Sequence, residues 1–106
     1  MGKTILSDYK NIYLQTANEY IGKMLISLDK LTKDVLDKEA LNDLHISSHS
    51  LRSQSQVMEI MEIGKLAGSI EKKSKDILNG SGKIDSAFLF SLKESINELY
   101  LKLSKI

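Results

Sequence analysis

The apolar positions of this chain fall into four stripes, each with helical spacing. The first comprises Ile5, Ile12, Ala17, Tyr20, Met24, Leu28, Leu31 and Val35, advancing mostly in steps of three and four with charged residues opposite. That is the pattern of a long helix with one buried face. It predicts a helix over about residues 7–33, with Ser7 as its N-cap. Asp37 precedes the second stripe, Leu41, Leu44, Ser48, Leu51, Ser55 and Met58, whose steps alternate three and four and predict a helix over about 38–58. A third stripe, Ile63, Leu66, Ile70, Ser74 and Ile77, predicts a helix over about 60–79. It stops at Asn79-Gly80-Ser81-Gly82, where Asn or Gly can take the left-handed conformation that closes a helix. The last stripe, Ile84, Phe88, Leu92, Ile96, Leu99 and Leu103, predicts a helix over about 84–104, with Asp85 as cap.

Four helices with short connections make an all-α, antiparallel up-and-down four-helix bundle, one domain spanning residues 1–106. From Val57 to Ile63 no glycine or proline marks the join between the second and third helices. A tight turn near Glu59 is the expectation there.

Composition sharpens this picture. The chain lacks proline, carries only 6% aromatics and is dominated by Leu, Ile, Lys, Glu, Asp and Ser, which favours helix over strand. At 106 residues it can bury one continuous core. With no cysteine, disulfides and thiolate metal sites are excluded. Fifteen basic and fourteen acidic residues are interspersed for a net charge of +1, which argues against a nucleic-acid or membrane surface. Apolar runs such as Ala87 to Phe90 fall far short of the roughly 18 residues that span a bilayer, and no signal peptide opens the chain. A soluble, unprocessed, monomeric protein of the cytoplasm is expected. The Lys72-Lys73-Ser74-Lys75 run reads as a solvated face.

The candidate chemistry lies on the second helix. The two histidines, His45 and His49, sit four residues apart beside the Leu41/Leu44/Ser48/Leu51 stripe, on a partly exposed face. Such a pair could begin a metal site, but no cysteine or third histidine exists to complete one. Taken alone, His49 reads first as a surface or helix-boundary histidine without chemistry. Its neighbours add weight: Arg52 falls one turn further along the same face and Ser53 is small, leaving an accessible imidazole beside a fixed positive charge. A nucleophile for a phosphoryl group needs that combination.

The stretch Ser48-His49-Ser50-Leu51-Arg52-Ser53-Gln54-Ser55 resembles the signature His-x-Leu-Lys-Gly-x-Ser/Ala of histidine-containing phosphotransfer (HPt) domains, of the kind found at the front of the chemotaxis kinase CheA. Ile70 and Glu71, twenty-one and twenty-two residues after His49, match a Leu-Glu-like pair of that family, with Ile63 and Leu66 in register. The long first helix, the Lys-Asp-Ile-Leu-Asn-Gly segment ending at Gly80 and the Leu89 to Leu99 helix also have counterparts, so the resemblance covers nearly the whole chain. It departs at Arg52 for the usual lysine, at Ser53 for the usual glycine, and at Glu59, where a second glycine commonly ends the histidine helix. Gly68 stands where CheA often has a further polar residue near the imidazole, which implies a smaller hydrogen-bond network.

The resemblance implies a phosphocarrier of two-component signalling. His49 would be the phosphoacceptor, taking a phosphoryl group from a histidine-kinase catalytic domain and giving it to an aspartate on a response-regulator receiver domain. Glu71 would orient the imidazole and Arg52 contact the phosphoryl oxygens, with His45, Ser53 and Gln56 on the partner surface. The chain carries no Gly-rich phosphate loop, so it needs no cofactor of its own and is not by itself an enzyme; ATP and Mg²⁺ would come with the partner domains. Against this stand several readings. Glu71 could pair with Lys75 on its own helix. The domain could be a free-standing phosphorelay HPt, a helical interaction module without phosphoryl chemistry, or an unrelated bundle.

Overall fold

The computed structural model describes the backbone of residues 2–106 and the side chains of residues 8–106. Four helices follow one another: α1 Gly2–Lys33, α2 Lys38–Val57, α3 Met61–Leu78 and α4 Ser86–Leu103. In the described residues α2 packs between α1 and α3, α4 closes the ring against α3 and α1, and the backbones of the diagonal pairs stay apart. This is the antiparallel up-and-down bundle that the four stripes predict. At 1.5 Å per residue the 32 residues of α1 span about 48 Å. That accounts for the 50 Å long axis over a cross-section of 21 × 20 Å. No described helix is long and apolar enough to cross a membrane.

The core is where the periodicities of α2, α3 and α4 place it. Leu41, Leu44, Leu51, Ile63, Ile70, Leu92, Ile96, Leu99 and Leu103 are buried, with Met58, Leu66, Ile77, Ile84 and Phe88 packed against them. In α1 the phase differs from expectation. Its buried face is Tyr13, Ala17, Ile21, Met24 and Leu31, with Ser27 among them, whereas Ile12 and Val35 are exposed. Tyr13 replaces Ile12 because its hydroxyl has a partner inside: Tyr13 Oη and Ser55 Oγ are hydrogen-bonded at 2.8 Å, tying α1 to α2. Ile5 lies outside the described side chains. Ser7 falls within α1 and does not cap it.

Caps set the other boundaries. Asp37 accepts from the Ala40 amide at 3.0 Å and Asp85 from the Phe88 amide at 2.9 Å, so α2 and α4 each begin on an aspartate. The α2–α3 join is the tight turn expected at Glu59. The Ile60 amide donates to Ser55 O and the Glu59 amide to Gln56 O, which is a Schellman closure, and Glu59 itself takes φ +59°. The same closure ends α3, where Ser81 donates to Asp76 O and Gly80 to Ile77 O, with Gly80 at φ +88°. The absence of a glycine at this turn has therefore left its geometry in place, with a glutamate in the left-handed position.

Small residues bring α2 and α3 close. Ser48, Ser55, Gly64, Ala67 and Ser74 are all buried. The buried hydroxyls of Ser48 and Ser74 are satisfied within their own helices, donating to Leu44 O at 2.8 Å and to Ile70 O at 2.7 Å. An ideal Cβ on Gly64 would lie 3.6 Å from the Ser55 Cβ. This close approach lets side chains at the edge of the α2–α3 seam meet.

Candidate functional site

His49 projects from the middle of α2, on the α3 side of its exposed ridge, with 52% of its side chain open to solvent. Ser48 and Leu51, beside it in sequence, are fully buried, so the backbone under the imidazole is fixed by the core. From α3, Glu71 reaches across the seam. His49 Nδ1 and Glu71 Oε2 are 2.7 Å apart. A carboxylate only accepts, so the proton of this bond is on Nδ1. In the neutral ring the Nε2 lone pair is then free, with its tautomer set by the carboxylate behind it.

Glu71 is braced on its other oxygen. Arg52 Nε donates to Glu71 Oε1, and Arg52 Nη1 donates to Gln56 Oε1 at 3.2 Å, one turn along α2. Arg52 Nη2 stands 3.2 Å from His49 Nδ1. Since Nδ1 directs its proton at Glu71, this last approach is a contact of charge with the ring and not a second hydrogen bond. The guanidinium thus lies on the Nδ1 side of the imidazole. Glu71 does not turn back toward Lys75; its partners are both on α2.

The electrostatics follow from this geometry. Burial, the largest single influence on Glu71, pushes its carboxyl upward, but the hydrogen bonds from Arg52 and His49 and their charges outweigh it and hold the group below its ordinary value. The same pairing raises the Arg52 guanidinium above its ordinary value, through the hydrogen bond first and the charge of Glu71 second. Glu71 therefore stays an acceptor across the neutral range.

The other residues singled out in the sequence surround this centre. His45 is half-buried one turn before His49, the ring centroids 6.5 Å apart and the planes tilted by 33°. Ser53 is half-exposed one turn after His49 and Gln56 is exposed at the end of the row. Among the described residues no three His, Cys, Asp or Glu side chains converge as a metal site. One contribution was not read from the sequence: Gln56 as acceptor for Arg52, which the i, i+4 spacing could have suggested. The network links His49, Glu71, Arg52 and Gln56, because the arginine fork reaches Glu71 and Gln56 together, and residue 68 adds no polar group to it.

The bundle is that of a solved helical phosphotransfer domain. Among solved structures, the CheA phosphotransferase domain from Thermotoga maritima superposes with a TM-score of 0.87 at 21% sequence identity, over 92% of this chain and 93% of that one. The likeness that the Ser48 to Ser55 motif suggests thus extends to the fold of almost the whole chain. No protein-family model matches the sequence, and no curated protein does.

Proposed function

We propose that the chain is a phosphocarrier in which His49 Nε2 takes a phosphoryl group from a histidine-kinase catalytic domain and passes it to an aspartate of a response-regulator receiver domain. The observation that carries this reading is the half-exposed imidazole whose Nδ1 is held at 2.7 Å by a mostly buried carboxylate from the next helix. That arrangement supplies what an attacking imidazole needs: a lone pair on the open side and stabilisation of the cation formed as the N–P bond grows. The bond that breaks is the one between the γ-phosphorus and the bridging oxygen of ATP, and ADP leaves. In the second step the receiver's carboxylate oxygen attacks the same phosphorus and the N–P bond breaks, returning the neutral ring.

The chain contributes positioning and charge, while ATP and Mg²⁺ belong to the partners. Glu71 orients the ring. Arg52 holds Glu71, and its guanidinium, on the Nδ1 side of the ring, sets a fixed positive charge near the phosphoryl group. His45, Ser53 and Gln56 lie along the ridge that an incoming domain would cover. The chain acts as carrier and not as the kinase, at home in a CheA-like chemotaxis system of the cytoplasm.

Incubation of the chain with a CheA-type kinase core and labelled ATP tests the reading. An acid-labile, base-stable label that disappears in His49→Gln is expected. Glu71→Ala should slow labelling by about 10²-fold, the low end of what a positioned acid–base group contributes. Absence of label with competent kinases, or a label that survives in His49→Gln, contradicts the assignment.

A further inference from the structure

We propose that Gly68 is a positioning residue of the phosphoacceptor site: by carrying no side chain it opens the path along which Arg52 reaches and holds Glu71. The inference deepens the proposed function, on which its importance rests.

Gly68 sits inside α3, three residues before Glu71 and on the same face. Its backbone is ordinary helix, with no φ in the left-handed region. Conformation therefore gives no reason for glycine, and in a helix interior glycine is less stable than alanine. Space does give a reason. An ideal Cβ on Gly68 would lie 3.2 Å from Arg52 Cδ and 3.8 Å from its Cγ, the first tighter than an ordinary carbon contact. Gly22, also inside a helix, shows the contrast, for a Cβ there meets nothing within 4 Å.

What the added carbon would strike is a restrained part of the arginine. Cδ is bonded to Nε, the atom that donates to Glu71 Oε1, and the far end of the fork is held by Gln56 Oε1 at 3.2 Å from Nη1. The stem runs in a groove of about 220 Å³ lined by Arg52, Gln56, Met61, Gly64, Lys65 and Gly68. To admit the carbon the stem must give by a few tenths of an ångström away from α3, and with Nε on Glu71 and Nη1 on Gln56 that shift is felt at both bonds. Planar guanidinium pairs tolerate such misalignment poorly. Glu71 then loses the partner that keeps its Oε2 aimed at Nδ1. Gly68 thus acts on the imidazole through two intermediaries and never touches it.

The test compares the intact chain with Gly68→Ala, Arg52→Ala and the double variant. The Glu71 carboxyl is titrated by ¹³C NMR, the His49 tautomer read from its ¹⁵N shifts, and thermal midpoints taken by circular dichroism. Gly68→Ala should melt at the same temperature or higher, yet shift the Glu71 titration upward and lower the Nδ1–H tautomer fraction. In the Arg52→Ala background Gly68→Ala should change neither. An unchanged Glu71 titration in Gly68→Ala overturns the inference, as does an equal change in both backgrounds. No kinase enters the experiment, so its failure is distinct from failure of the phosphotransfer reading.

Discussion

At the scale of single residues, the site turns on Glu71, a carboxylate shared between an imidazole and a guanidinium. Its folded-state value is depressed, so its contribution to stability is present above its ordinary value near 4.5 and is lost as the pH falls through the lower folded value. Glu71→Gln keeps the shape and removes the charge. At about pH 7 the substitution should cost roughly 1–2 kcal/mol in urea unfolding, the scale of charge-assisted hydrogen bonds partly open to water. The gap should narrow as the pH falls from the ordinary carboxylate value through the lower folded one. A gap that persists undiminished in acid would mean that Glu71 contributes packing and not charge. His49 and Glu71 were legible in the sequence because the motif and its downstream register point to them. Arg52 was legible as a cation beside the ring, but its commitment to Glu71 and Gln56 was not, since that depends on how closely α3 approaches.

At the scale of the element, the α2–α3 turn decides whether the histidine helix ends where it must. Two identical Schellman closures end α2 and α3, one with Gly80 and the other with Glu59 in the left-handed position. A side chain is disfavoured there by the approach of its Cβ to the following carbonyl, a cost partly offset because glycine loses more chain freedom on folding. Glu59→Gly should therefore raise stability by about 0.5–1 kcal/mol, read from the urea midpoint at constant slope. It should leave labelling of His49 unchanged, because residue 59 touches no member of the site. A neutral or destabilising result would mean that the glutamate compensates its strain through its side chain. The turn was predictable without a glycine because the stripes on either side could not be continued as one helix. The phase of α1 was not. Its steps from Ile5 to Ile12 to Ala17 are seven and five, which fit no single helical face, whereas the buried set runs Tyr13, Ala17, Ile21, Met24, Ser27 and Leu31. A pattern read from apolar residues alone misses Ser27. It also prefers Ile12 to a tyrosine whose hydroxyl partner lies 42 residues away.

At the scale of the whole molecule, a square ring of helices whose backbones approach only in neighbouring pairs leaves α2 exposed along one ridge and rigid behind it. The regular three-four alternation of α2 made both the bundle and this ridge legible, because one face was used entirely by the core. The ridge places His45, His49, Ser53 and Gln56 in a row that a docking domain can reach, with the bracing groups Glu71 and Arg52 withdrawn into the seam. On the proposal above, this assembly makes Nε2 of His49 the atom that carries phosphate. The most direct measurement is ³¹P and ¹⁵N NMR of the intact, ¹⁵N-histidine-labelled chain after phosphorylation by a CheA-type kinase core. The account predicts one phosphohistidine, at His49, with phosphorus coupled to Nε2 and the Nδ1 proton retained. Phosphorus on Nδ1, or on His45, would contradict it.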